Sequence, residues 1–325
     1  MRGFYLLAGL LVCGGLLTQR SRSWAEEGVS APAAQGREDE AAPSAVAGQL
    51  SPYEQLLRER GPLLLQLDRL QARRYLFEVA SDPEKGPALE QEIQAAFQRV
   101  VDLYERYLVT HPDDARAHYD LGELYYSEVP DEDRAEVLWL RTIELDPNFD
   151  LAYNSLAVHY ADTARHEKAL RYVQRALELN PEVAAYHFNA ATFYFGFRKT
   201  AVRLFGWDLK RVWQELTAQY EWALRLDPTN YMIVRDYAQA FYFATFFGVE
   251  PDYQRARALW QQALPLAPHQ GERIMVLNNL ARVALLVGDR EAARDYLEQA
   301  FRLAPKNPVS RLLQHKLEVE ESPNH

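Results

Sequence analysis

Residues 150–183 read DLAYNSLAVHYADTARHEKALRYVQRALELNPEV, and this 34-residue stretch decides the fold. Tyr153, Leu156, Ala157, Tyr160, Ala169, Val173 and Pro181 form an ordered set of small, aromatic and helix-ending residues that returns along the chain. Six tripeptides ending in Pro112, Pro147, Pro181, Pro228, Pro268 and Pro305 punctuate it, at intervals of 35, 34, 47, 40 and 37 residues. Proline lacks an amide donor and restricts the residue before it, so each one stops a helix. Small residues at Gly122, Ala157, Ala191, Ala238 and Ala281 let a paired helix approach closely, and the aromatic three residues later fills the next layer.

The set can be followed residue by residue. The unit before residue 150 supplies His118, Leu121, Gly122, Tyr125, Ala135, Trp139 and Pro147, with one extra residue around Val129-Pro130-Asp131. The unit after Val183 supplies His187, Ala190, Ala191, Tyr194, Leu216, Tyr220 and Pro228, with about 13 extra residues between its helices. Next come Val234, Tyr237, Ala238, Phe241, Ala256, Trp260 and Pro268, then Leu277, Leu280, Ala281, Ala284, Ala293, Leu297 and Pro305. The pattern resembles the tetratricopeptide repeat, W-x2-L-G-x2-Y, then A-x3-F, then P. That resemblance implies an all-α fold, a right-handed superhelical solenoid of antiparallel helix pairs, with about twelve helices between Tyr53 and Leu317 and no sheet. It covers residues 113–305 as five units, flanked by a divergent helical repeat or cap over 51–112. A capping helix and tail follow over 306–325, carried by Leu312, Leu313 and Leu317. The fold serves many purposes, so it implies a scaffold rather than one function.

The chain begins MRGFYLLAGLLVCGGLL, one Arg and then an apolar run, followed by TQRSRSWA with a small-x-small site at Ser23-Trp24-Ala25. These features predict a signal peptide over residues 1–25, cleaved after Ala25, and export to a periplasmic or extracellular space. An uncleaved membrane anchor and lipidation at Cys13 are the alternatives. Cys13 is the single cysteine, so a chain beginning at Glu26 would have no disulfide. Residues 26–50 are rich in Ala, Pro, Gly and acids without a periodic apolar face and read as a disordered linker. The formal charge of −10 becomes −13 when Arg2, Arg20 and Arg22 leave with the leader. An acidic body repels phosphate backbones, which argues against nucleic acid as a partner.

Catalytic patterns are missing from the sequence. His166-Glu167 opens like a zinc-protease helix, but Leu170 stands where the second His should be. His118 and His187 occupy positions of large core aromatics and read as packed imidazoles. No Gly-rich phosphate loop and no nucleophile elbow occur, and Asp131-Glu132-Asp133 lacks the spacing of a calcium loop. The reading is therefore non-catalytic, with no cofactor and no metal, and with an unidentified protein or peptide as partner.

Two surfaces remain. In the resembled family the first helix of each pair lines the concave face. The stripe opposite its core residues carries Tyr119, Asn154, Phe188, Arg235 and Asn278, then Asp120, Ser155, Asn189, Asp236 and Asn279. Glu123, Val158, Thr192, Gln239 and Arg282 follow, with Tyr126, Phe195 and Tyr242 one turn on. Amides and carboxylates can bond a peptide backbone and aromatics can anchor it. The stripe resembles the asparagine ladder of the O-linked N-acetylglucosamine transferase repeat domain at Asn189 and Asn279, and departs from it at Ser155, Asp120 and Asp236. The second surface is the insertion over 196–213, with Arg198, Lys199, Arg203, Lys210 and Arg211 against Asp208. It reads first as an early start of the second helix, its apolar face formed by Ala201, Leu204, Phe205, Leu209, Val212, Leu216 and Tyr220. Peripheral contact with an anionic membrane or an acidic partner is the alternative. A membrane-tethered assembly factor using this insertion, and an enzyme with an unrecognised site, are the competing functions.

Overall fold

The computed structural model describes residues 50–80, 86–127 and 131–321. The leader, the linker up to residue 49, and Val129 and Pro130 lie outside the described residues. Those described form fourteen α-helices and one 3-10 helix, with no strand among them. The chain divides into two compact units, Met1–Arg165 and His166–His325.

The first unit holds α1 (Pro52–Ala80), α2 (Gly86–Thr110), α3 (Ala115–Ser127), α4 (Glu132–Leu145) and α5 (Asp150–Asp162). Helices α1 and α2 pack as one pair and α3 and α4 as the next, with α5 against α4. The second unit holds α6 (His166–Leu179), α7 (Ala184–Gly196), α8 (Arg198–Phe205), α9 (Leu209–Leu226), α10 (Tyr231–Ala240), a 3-10 helix (Phe241–Phe247), α11 (Tyr253–Leu266), α12 (Gln270–Leu286), α13 (Arg290–Leu303) and α14 (Pro308–Glu321). Here α7 pairs with α9, α10 with α11, and α12 with α13, while α6 packs on α7.

Local sequence sets the ends of these helices. Aspartates at 131, 208, 252 and 289 and Asn230 accept from backbone N–H groups of the first turns of α4, α9, α11, α13 and α10. Each such cap satisfies one of the donors a helix start leaves open. At the other ends Asp146, Asp227, Ala267 and Ala304 precede prolines, and their ψ angles of 95°, 79°, 120° and 88° are the extended values that a following proline imposes. The carbonyls of Pro112, Pro147, Pro181 and Pro228 are bonded by side chains further along the chain. The His118 ring lies 2.9 Å from the Pro112 carbonyl, the Tyr153 hydroxyl 3.3 Å from that of Pro147, and the His187 ring 2.7 Å from that of Pro181. Val234 has no polar atom for this task, and the Gln262 amide of α11 donates to the Pro228 carbonyl instead, at 3.0 Å. The two histidines are thus structural, as the sequence reading expects.

Close approach within a pair is clearest between α3 and α4. A Cβ placed on Gly122 would sit 2.7 Å from Trp139 Nε1 and 2.8 Å from Cδ1, and the indole is fully buried. Ala157, Ala191, Ala238 and Ala281 hold the equivalent places, all fully buried, and Trp260 is as deeply enclosed as Trp139. At the end of the chain Leu313 and Leu317 of α14 close over Ala281, Leu285, Ala293 and Leu297. Leu312, expected to share that role, is instead 68% exposed because its place on the helix turns it outward.

The insertion departs from the expected early helix start. Gly206, at φ +69°, ends α8 in the left-handed region, and Asp208 caps a new helix at Leu209. The continuous apolar face is therefore broken. Ala201 belongs to one helix and Val212, Leu216 and Tyr220 to the next, all buried, while Leu209 is exposed. Glycine takes a positive φ without the Cβ clash that penalises other residues, which makes this the natural breaking point.

Gly122→Ala should destabilise the chain despite the gain of about 1 kcal/mol in helix propensity, because overpacking against a buried ring costs roughly 1–3 kcal/mol. Trp139→Leu opens space for the added methyl. In that background Gly122→Ala should become neutral or stabilising, a reversal of sign that urea denaturation of the four chains would read.

Candidate functional site

The residues of the proposed stripe separate into those used up by helix packing and those still accessible. In the first unit Asp120 is used up. Its carboxylate accepts from Tyr53 at 2.5 Å, from Arg60 at 3.0 Å and from Tyr104 at 3.0 Å, so it ties α1 and α2 to α3. Burial and this carboxylate push the Tyr53 and Tyr104 hydroxyls well above the ordinary phenol range, which keeps both as donors. Tyr119 is half-buried, with its ring 5.0 Å from Phe149 and its hydroxyl 3.5 Å from Ser155 Oγ. Tyr126 packs its ring 5.3 Å from Trp139 and donates to Asp162 at 2.9 Å. Asn154 is half-buried on α5.

Glu123 joins this group, and the sequence stripe names it without giving it a role. Ser155 donates to its Oε1 at 2.7 Å, and burial, the largest influence on it, pushes its carboxyl up to about 7. Ser155 lies one pair further along the chain, so nothing local in the sequence signals this contact.

In the second unit four expected contact residues are internal, which corrects the reading of them as groove-facing. Phe188 is only 2% exposed, its ring 6.2 Å from that of Tyr220. Asp236 is buried and accepts from Arg235 at 2.9 Å. Asn278 accepts from the buried Ser310 hydroxyl at 2.8 Å and donates to Asn307 at 3.3 Å, tying α12 to the start of α14. Asn279 donates back to the Met275 carbonyl at 3.0 Å and accepts from Arg282 at 3.2 Å. The common cause is angular. These positions flank the core stripe by about one helical step of 100°, and the neighbouring helix covers that flank.

Asn189, Phe195, Arg235 and Tyr242 are half-buried and Arg282 is exposed. Phe195 is held by Phe243 and Phe247, at ring separations of 5.6 and 5.9 Å. Arg282 lies 5.6 Å from the Tyr242 ring centre, and Arg235 lies 5.7 Å from that of Tyr231. In the insertion Arg203 pairs with Glu167 at 2.8 Å and Arg211 pairs with Glu215, whereas Lys199 and Lys210 are exposed.

Two further titratable groups are held in side-chain contacts. Glu136 accepts from Arg165, His159 and Tyr160; burial would raise it, but these hydrogen bonds hold its carboxyl below the usual range. His166 stacks on Phe197 with centres 4.0 Å apart, and burial lowers its affinity for a proton. Among the described residues no group of three or more His, Cys, Asp or Glu side chains is placed to hold a metal ion. No helix of the described residues is long and apolar enough to cross a membrane.

The folded chain holds the Glu123 proton up to about pH 7, whereas the unfolded chain releases it near the ordinary value of 4.5. Its share of stability is therefore lost as pH rises through that window. Glu123→Gln should flatten the decline in melting temperature between about pH 4.5 and 7 and leave the variant the more stable at pH 8. Parallel melting curves of variant and parent would check it.

Comparison with known proteins gives two sequence matches, both described as tetratricopeptide repeat, at residues 151–183 and 249–306. No curated protein matches. Solved structures do. YrrB, described as a TPR protein with an unusual peptide-binding site, is 15% identical, with 65% of this chain and 97% of YrrB covered and a TM-score of 0.51. PilF of Pseudomonas aeruginosa is 16% identical over 78% of this chain and 99% of its own, also at 0.51. The C-terminal part of a TPR protein from Cytophaga hutchinsonii is 12% identical over 79% and 98%, at 0.53. Identities this low establish shared fold only. The tetratricopeptide repeat is thus matched in sequence over residues 151–183 and 249–306, and the paired helices share the fold of tetratricopeptide-repeat structures.

Proposed function

We propose that this chain is a non-catalytic scaffold whose first-helix faces take an extended or helical segment of a partner protein. Proteins of this repeat generally mediate protein–protein interactions. The observation that carries the finer reading is the row left accessible once the core is filled. It comprises Tyr119, Tyr126 and Asn154 in the first unit, and Asn189, Phe195, Arg235 and Arg282 in the second. Aromatic rings held by neighbours supply contact area at small entropic cost, while amide and guanidinium groups orient a peptide backbone or its carboxylates. A peptide-binding site in YrrB, on a similar fold, supports the same use here. The leader argues that the scaffold works outside the cytoplasm, with a mature chain beginning at Glu26. Mass spectrometry of the native protein should find that amino terminus, and an intact leader on soluble protein would overturn the export reading.

Photocrosslinking residues placed at positions 119 and 195 should capture a partner peptide, while the same residue at the outward-facing Val137, 67% exposed, should not. Asn189→Ala with Arg282→Ala should weaken that partner's affinity more than tenfold, about 1.4 kcal/mol, with an unchanged circular dichroism spectrum. A folded double variant that kept full affinity would disprove the groove reading.

A further inference from the structure

The starts of α8 and α9, neighbours in sequence, meet the end of the more distant 3-10 helix at one corner of the second unit. The Arg198 guanidinium lies 5.7 Å from the Phe246 ring centre and 5.8 Å from that of Phe247. The Lys210 stem runs beside Gly248, with its Cε 3.9 Å from where a Cβ on that glycine would lie. Gly248, at φ +69°, closes the 3-10 helix and leaves Phe246 projecting, 53% exposed, with its ring supported 5.7 Å from Phe243. Leu209, next to Lys210, is exposed as well.

The charge here is unlike that of the rest of the chain. The formal net charge is −10, and arginines elsewhere are widely paired with carboxylates. Arg203 and Arg211 of the insertion follow that habit. Arg198, Lys199 and Lys210 do not, and among the described residues no carboxylate pairs with any of them. Positive charge without a carboxylate partner therefore lies beside an exposed aromatic ring and an exposed leucine.

We propose that this corner docks peripherally on an anionic membrane surface. Phe246 and Leu209 enter the headgroup boundary, and Arg198, Lys199 and Lys210 meet lipid phosphates. Aromatic rings favour that boundary, and flexible lysines suit a lattice of headgroups that demands no fixed register. An acidic protein fits less well, because the apolar element here is a projecting ring rather than a recess that could receive a side chain. The negative charge of the remaining chain does not forbid the contact, since screening confines the repulsion to about 8 Å at physiological salt. The inference stands apart from groove binding and uses different side chains.

The test is co-sedimentation of the full chain with vesicles of phosphatidylcholine alone and of phosphatidylcholine mixed with phosphatidylglycerol. The parent should bind the mixed vesicles in preference, and less at high salt. K199E with K210E should weaken binding at least tenfold, and Phe246→Ser should weaken it on its own. K306E with R311E, exposed positions at the turn into α14, should change nothing. These substitutions are at exposed residues, and circular dichroism would check that the fold survives. The leader is common to all variants, so differences between them report on the corner itself. The proposal fails if the parent ignores anionic lipid, if K199E with K210E binds undiminished, or if the corner captures polyglutamate but not vesicles, which would assign it to an acidic protein.

Discussion

The contact on which the structure depends is the approach of a first helix onto the ring of its partner, seen at Gly122 over Trp139. A distance of 2.7 Å from a notional Cβ leaves no room for a side chain, so residue size alone sets how near the two helices come. Once Trp139 is seated, its other edge becomes the support for Tyr126, whose ring lies 5.3 Å away and whose hydroxyl is fixed by Asp162. A core contact thereby presents an aromatic on an accessible face. The same logic runs from Phe247, almost wholly buried, to Phe195 and onward to Phe243. In both units the accessible aromatics are the rim of the packing that makes the fold.

The fold was legible because its constraints are local and repeat. Prolines at near-regular intervals stop the second helices, and a small residue ahead of an aromatic marks each first helix, so the pairs follow from spacing alone. Even the break in the insertion is written in residues, with Gly206 to end one helix and Asp208 to start another, although it reads as a weakness rather than a boundary until the positive φ is known. Single positions on the stripe were less legible. Asn278 and Asn154 occupy the same place in their repeats, yet only Asn278 is buried, because α14 lays Ser310 and Asn307 over it. That covering helix belongs to the end of the chain, and a periodic pattern has no means of expressing an end. Glu123 shows the same limit in another form, since its partner Ser155 is 32 positions away.

The cationic residues divide by what they do. Several arginines register one element against another: Arg60 joins α1 to α2 and α3, Arg255 joins α11 to Glu221 of α9, and Arg257 joins α11 to Asp289. Asp289 does two tasks, capping α13 through the Ala292 amide and holding Arg257, and both keep its carboxyl below the usual range. The planar guanidinium suits such fixed geometry, and a lysine ammonium suits it less. Lys199 and Lys210, by contrast, stand exposed and without a carboxylate among the described residues.

That division bears on how a partner can be recognised. An arginine already committed to a carboxylate offers little new attraction, because any contact it makes must compete with the bond it has. Arg235, held by Asp236 and facing Glu272 at 3.8 Å, is in this position, and its use to a peptide lies in the planar face over Tyr231 rather than in its charge. Arg282 is bonded to a neutral amide, Asn279, and so keeps its charge available on the same face. For a segment bound as proposed, selectivity for acidic groups on the second unit would therefore concentrate at Arg282, while the ring faces and Asn189 would read shape and backbone. In the first unit the corresponding group is the carboxyl of Glu123, which burial pushes up to about 7 and which is already bonded to Ser155. The two faces thus differ in chemistry, with an exposed guanidinium on one and a buried, proton-holding carboxyl on the other.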